Sequence, residues 1–297
     1  MQYGNFHGLK TVVLENRFFR IEFLAEAGPR IVRLIPQLTG ENLFAETPQF
    51  SVRAPLGEFH YYGGHRLWIA PENLRTTYIP DDNGVSVSEA TGGYRIIGAV
   101  EPGTGLRKTI TLQVSSEQPF IRVKHRIENF GDAAVKLSSW AITMLRPQGI
   151  AILPQQVGNV DDDGLRPNRR FALWSYSRWD DARVNLKDEF TTIIADATSS
   201  PFKLGYFNPH GWLGYIYDDV MFVKRFGVRR DEEYPDFGSN SEIYVNARSL
   251  ELETLGPLVE LAPKLDVIHT ETWEVHNVNS LPKELLGGRT MASILSG

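Results

Sequence analysis

The sequence predicts an all-β protein, a large antiparallel β-sandwich in which residues 1–297 form one domain, and three observations lead there. Short β-branched or aromatic runs follow one another along the chain, with little that reads as helix between them. Gly and Pro punctuate those runs at short intervals, and no strand–helix–strand alternation appears. The third observation is period. Ile121, Val123 and Ile127 alternate with Arg122, Lys124, Arg126 and Glu128, the pattern of a strand with one wet face. A chain of 297 residues can bury a sizeable core, and two packed sheets of this size often form a single unit.

In chain order, residues 11–16 and 18–23 are apolar runs divided by a turn, and 29–34 follows the break at Gly28. Residues 94–100, 106–112, 120–129 and 134–145 supply the middle strands. The segment from about Gln155 to Asp188 reads as a long charged loop rich in Trp, Arg and Asp. Loops of that length are usually functional or mobile. Residues 202–207, 212–217, 221–226 and 267–275 continue the strands, with Trp273 in the core, and only the tail around 282–286 offers a short helix.

Residues 240–257 are the most informative. Read with a period of two they form a hairpin: Glu242, Tyr244 and Asn246 share one face of the first arm, and Glu251 and Glu253 share that face on the second. Folding back at 247–249 brings Glu242 near Glu253. Like charges facing each other on a sheet cost a few tenths to about 1 kcal/mol unless a cation, a ligand or a proton relieves them.

Hydrophobic content of 42% and charged content of 23% are those of an ordinary globular protein. The net charge of −5 argues against a nucleic-acid partner. Arg225, Arg229 and Arg230 are answered at once by Asp231, Glu232 and Glu233. With no cysteine, disulfides and thiolate metal sites are impossible, and no histidine pair has a local metal-binding spacing, so no metal is expected. No apolar run approaches a membrane span and the first residues lack a signal-peptide profile, so the expectation is a cytoplasmic protein without membrane contact, monomeric or homodimeric.

Several segments resemble the galactose mutarotase-like (aldose 1-epimerase) superfamily, whose members fold as a β-supersandwich, and more closely a bacterial branch with no assigned activity. Gly28-Pro29-Arg30-Ile31-Val32-Arg33-Leu34 and Gly40-Glu41-Asn42-Leu43-Phe44 look like its entry segment. The run from Tyr62 to Glu72, with Gly63-Gly64-His65-Arg66-Leu67-Trp68, sits where the epimerases carry a substrate-binding segment. Leu252-Glu253-Thr254 is similar to the strand that holds the family's catalytic base. Where the family's general-acid histidine would fall, this chain has Trp140, whose indole donates a hydrogen bond but supplies no proton.

The resemblance implies an aldose 1-epimerase-like isomerase acting on a free sugar or derivative, a small-molecule carbohydrate, without an organic cofactor. Mutarotation needs a base at the anomeric hydroxyl and an acid at the ring oxygen. Glu253 is the expected base and His65, flanked by Gly64 and Arg66, the expected acid. Arg66, Glu242, Lys224, Trp140 and Trp68 are the expected positioning groups. Glu72 and His210 are expected substrate-binding residues as well: Glu72 could equally pair with Arg66, and His210, in a Pro-His-Gly turn, is a further acid candidate. Trp faces suit a pyranose ring, and one of Trp174 and Trp179 is expected to line the pocket. The rival readings are a carbohydrate-binding protein without turnover and a lyase- or hydrolase-type relative.

Overall fold

In the computed structural model, which describes residues 1–82, 84–196, 200–282, 285, 286 and 294, the strands assemble into two antiparallel sheets. The first runs in space from Gln2–Phe6 through Leu9–Glu15, Phe19–Leu24, Arg30–Pro36 and Gly57–Ala70 to Val135–Leu145. It continues through Leu250–Leu255, Ser241–Val245 and Phe202–Tyr206 to Phe171–Leu173. The second runs from Val184–Leu186 through Phe190–Ile194, Ile150–Pro154, Trp212–Tyr217 and Val220–Phe226 to Asp266–Asn277. Phe120–Asn129, Leu106–Val114, Gly93–Val100 and Ser86–Ala90 complete it. The long segment expected as loop thus supplies a short edge strand to each sheet.

Alternation fills the space between the sheets. Ile21, Phe23, Leu67, Ile243 and Leu252 from the first sheet meet Ile110, Val123, Leu213, Phe222 and Trp273 from the second. Trp273 is fully buried, edge-on to Phe44 (5.8 Å) and Phe222 (5.7 Å). Burying each such side chain contributes about 1.5–3 kcal/mol, which makes this layer the main stabilising term. A smaller cluster of Phe59, Trp68, Trp140 and Ile142 lies on the outer face of the first sheet.

The short helix expected around 282–286 includes Lys283 and Glu284, which lie outside the described residues; ahead of it is a single 3-10 turn, Val278–Ser280. The four-residue element Pro235–Gly238 is a turn, since Asp236 (φ 49°) and Phe237 (φ 58°) are left-handed. Among the described residues no helix is long and apolar enough to cross a membrane.

One irregularity positions the site. The Gly57–Ala70 strand passes through positive φ at Tyr62 (56°), Gly63 (95°) and Gly64 (66°). The kink breaks the parity of the strand, so that Tyr61 before it faces the same side as Arg66 and Trp68 after it. Glycine is required: a Cβ on Gly64 would lie 2.0 Å from the Ile31 carbonyl oxygen, and one on Gly63 2.0 Å from that of Ala45. We expect Gly64→Ala to lower unfolding free energy by roughly 2–5 kcal/mol, left-handed strain plus overpacking. A loss under about 1 kcal/mol in urea titration would contradict this account.

Candidate functional site

Five adjacent strands turn polar side chains away from the second sheet. Gly57–Ala70 contributes Arg66 and Trp68, Val135–Leu145 contributes Trp140, and Leu250–Leu255 contributes Glu251 and Glu253. Ser241–Val245 adds Glu242 and Tyr244, and Phe202–Tyr206 adds Lys203. The register places Glu242 opposite Glu253, Tyr244 opposite Glu251 and Trp140 opposite Trp68. Above them opens a cavity of about 160 Å³, walled also by Tyr61, Glu72, Tyr78 and Tyr176.

Lys203 anchors the charges. Its Nζ lies 2.7 Å from Glu242 Oε2 and 2.9 Å from Glu253 Oε2, and 4.5 Å from the ring centroids of both Trp140 and Trp174. The Trp140 indole N–H donates to the same Glu253 Oε2 at 2.8 Å. Burial works against the Lys203 ammonium, but the two carboxylates outweigh it and raise its pKa. Burial pushes Glu242 well above the usual carboxylate range; Lys203 opposes this and Glu253 reinforces it. Two carboxylates share one cation here.

Beside this triad Arg66 donates to Glu251 at 3.1 Å, its guanidinium 4.2 Å from the Trp68 ring centroid and 5.3 Å from that of Tyr61. Burial raises the Glu251 pKa, Arg66 holds it down in part, and Glu253 raises it further. Tyr176 arrives on the loop after Phe171–Leu173. That loop is tied down by Ser177, whose hydroxyl donates to the Lys203 carbonyl and accepts from the Lys203 N–H, both at 2.8 Å.

Of the residues singled out in the sequence, Glu253, Arg66, Trp68, Trp140 and Glu72 line the cavity, and Glu242 stands behind Lys203. Glu72 accepts from the Tyr78 hydroxyl instead of pairing with Arg66. Trp174 covers Lys203, and Trp179 is 70% exposed.

Three expectations are corrected. His65 precedes Arg66 on a regular stretch of strand, so the two point to opposite faces and His65 is fully buried between the sheets. His125 Nε2 lies 2.7 Å from its Nε2. Lys224 belongs to the second sheet, shares the inward face with Phe222, and pairs with Glu271 (3.0 Å), not with the cavity carboxylates. His210 is held by the Gln155 carbonyl (3.0 Å) and does not line the cavity.

Lys203, Glu251 and the tyrosines were missed. The signal for Lys203 was a charge between buried Phe202 and Leu204; Glu251 was already on the right face of the hairpin. Tyr176 had no local signal, because only the folded loop brings it to the strands.

The inward histidines form a defined hydrogen-bond chain. His125 Nδ1 donates to the His269 carbonyl (3.1 Å); with both rings neutral, as their burial favours, its Nε2 accepts from His65 Nε2–H and His65 Nδ1 accepts from the Thr143 hydroxyl (2.9 Å). Burial depresses both, His65 well below its ordinary value and His125 to about 3. His65, His125 and Glu271 bring three ligand-type atoms within 4.8 Å of one another, a metal-like grouping that the local spacing of the histidines concealed. A cation entering there would have to displace the Lys224 ammonium and break the His65–His125 bond.

No family model matches the chain, and no curated protein matches it. Solved structures do. It is similar to the Slr1438 protein of Synechocystis sp. PCC 6803 (14% identity, TM-score 0.57, 90% of this chain and 96% of that one). A candidate aldose 1-epimerase of Escherichia coli K12 gives 12% identity and a TM-score of 0.53 over 91% of this chain and 100% of that one. A galactose mutarotase-like protein of Clostridium acetobutylicum gives 8% identity and 0.53 over 93% and 98%. At these identities the likeness establishes the fold, and the chain has the galactose mutarotase-like fold.

Two expected outcomes follow from the charges. Lys203→Met strands Glu242 and Glu253 without a cation and should cost about 3–5 kcal/mol in denaturant titration at neutral pH. The loss should shrink as acid protonates the two carboxyls; a loss independent of pH would contradict the triad.

The neutral histidines titrate oppositely from a stabilising cation. Their folded pKa values lie below the unfolded value of about 6.5, so the stability they confer is complete above that pH and is lost as pH falls below it, for His125 down to about 3. Glu242 and Glu251, raised on folding, act in the opposite sense, so the comparison must be with a variant. Between pH 7 and 5, wild type should lose stability faster than His125→Phe by up to about 1.4 kcal/mol per unit. Equal slopes in thermal or urea unfolding would sink this assignment.

Proposed function

We propose that this galactose mutarotase-like chain binds a carbohydrate in the cavity and interconverts the anomers of an aldose or aldose derivative, with Glu253 as base and Glu251 as acid. One observation carries the reading. Glu253 lines the cavity with Oε2 held by Trp140 and Lys203, while Oε1 has no hydrogen-bond partner among the described residues. A carboxylate fixed by one oxygen and open at the other is oriented to take a proton from a ligand.

Glu251 lies two residues away on the same face, about 6.8 Å along the strand. In the proposed reaction Glu253 removes the anomeric hydroxyl proton as Glu251 protonates the ring oxygen, and the C1–ring-oxygen bond breaks. The open-chain aldehyde rotates about C1–C2, and the reverse transfers close the other anomer. The raised pKa of Glu251 supports its role as the proton donor. Arg66, Trp68 and the cavity tyrosines supply hydrogen bonds and ring faces for a pyranose. The cavity, about 160 Å³, is below the roughly 300–1,000 Å³ of drug-sized pockets and suits a ligand of one sugar ring.

A second reading is binding without turnover. What favours it is that no histidine occurs among the described residues lining the cavity.

Polarimetry or NMR exchange over a panel of aldoses, uronates and sugar phosphates is the test. Glu253→Gln keeps volume and a carbonyl acceptor but removes basicity, and should lower kcat by about 10²–10⁴-fold while sugar binding persists. Wild-type kcat should fall on the alkaline side as Glu251 loses its proton, and that limb should vanish in Glu251→Gln. Unchanged turnover in Glu253→Gln removes the base. Binding without turnover in wild type selects the second reading.

A further inference from the structure

We infer that Lys224 is a positioning residue for the candidate site, clamping from inside the sandwich the two strands that carry Trp140, Glu251 and Glu253. The inference rests on the reading of the cavity as the site and adds to it a residue that touches no ligand.

Lys224 is fully buried on the Val220–Phe226 strand of the second sheet, yet its ammonium is spent on the first. Its Nζ donates to the carbonyl oxygens of Ala141 (2.8 Å) and Leu252 (3.0 Å), with the Thr143 hydroxyl at 3.1 Å. Ala141 follows Trp140, and Leu252 separates Glu251 from Glu253. The strands concerned, Val135–Leu145 and Leu250–Leu255, are direct neighbours, with Thr143 opposite Leu252 and Ala141 opposite Thr254. The Trp140–Glu253 hydrogen bond on the outer face spans the same two strands, so its length follows their relative shift.

Glu271, the counter-ion of Lys224, makes the second half of the clamp. Its carboxylate lies 3.0 Å from Nζ and accepts from the Thr254 hydroxyl (2.5 Å) and the Trp273 indole (2.8 Å). The ion pair therefore grips the Leu250–Leu255 strand at Leu252 and at Thr254, the two inward residues that straddle outward-facing Glu253. Neutralising Glu271 does not explain this reach. Phe226 of the Lys224 strand already lies opposite Glu271 within the second sheet, so the pair could form without crossing the sandwich. Charge-assisted bonds to two backbone carbonyls are about twice as strong as neutral ones, which suits the fixing of strand register.

The test compares Lys224→Met and Lys224→Gln, each combined with Glu271→Gln so that no buried charge is left unpaired. Glutamine keeps amide donors for the two carbonyls; methionine keeps length without a donor. We expect the methionine pair to displace the Trp140 indole N–H resonance and to lower kcat at least tenfold with KM changed less than threefold. The glutamine pair should recover most of both, at similar thermal midpoints. Thr254→Val, which removes the Glu271 grip together with the His269 Nε2 contact (2.8 Å) and leaves Lys224 in place, should move the Trp140 resonance in the same sense and serves if the methionine pair does not fold. An unmoved Trp140 resonance in the methionine pair or in Thr254→Val overturns the inference, as does equal loss in the methionine and glutamine pairs. If wild type turns over no aldose, the catalytic reading fails by itself, and the Trp140 resonance still decides the role of Lys224.

Discussion

A charge taken out of water needs a partner that travels with it, and that constraint shapes both faces of the first sheet. Each face meets a buried ammonium. On the outer face Lys203 lies between Glu242 and Glu253, which register alone would have set against each other. On the inner face Lys224 meets Glu271 under the same strands. Remove either lysine and buried carboxylates are left without their cation. The aromatic walls depend on these pairs too, since Trp140 and Trp174 pack on the Lys203 ammonium and Trp68 on the Arg66 guanidinium.

The sheets and the hairpin were legible because a period of two survives in the sequence wherever one face is wet. The Glu242–Glu253 pairing is the clearest case, since the turn at 247–249 leaves one register that buries Ile243 and Leu252 together. The same rule, applied more strictly, would have separated His65 from Arg66. The resemblance of the segment points His65 towards a ligand, whereas the alternation of the strand sends it inward. Gly63 and Gly64 in fact bend a strand where two neighbouring backbones pass close by.

What could not be read concerns residues whose partners lie far along the chain. Lys203 is about forty to fifty residues from its carboxylates, and Lys224 acts on carbonyls of residues 141 and 252, which carry no sequence signal because every residue has one. The histidine chain of His65, His125 and His269 is drawn from three strands in two sheets, so no local spacing announces it.

The loop bearing Tyr176 joins the strand beneath it through one serine hydroxyl, which makes the two hydrogen bonds that a continuing Phe171–Leu173 strand would make with its own backbone. This one part of the cavity wall is therefore fastened to the sheet by a side chain, while the carboxylates are fastened by the ladder itself. On the proposed function, the part of ligand selection that falls to Tyr176 is thus housed apart from proton transfer. The loop can lengthen, shorten or change its aromatic residue while the strands keep Glu251 and Glu253 at a fixed spacing. If the proposed function holds, a scaffold divided in this way can be fitted to a different sugar without being rebuilt around a different reaction.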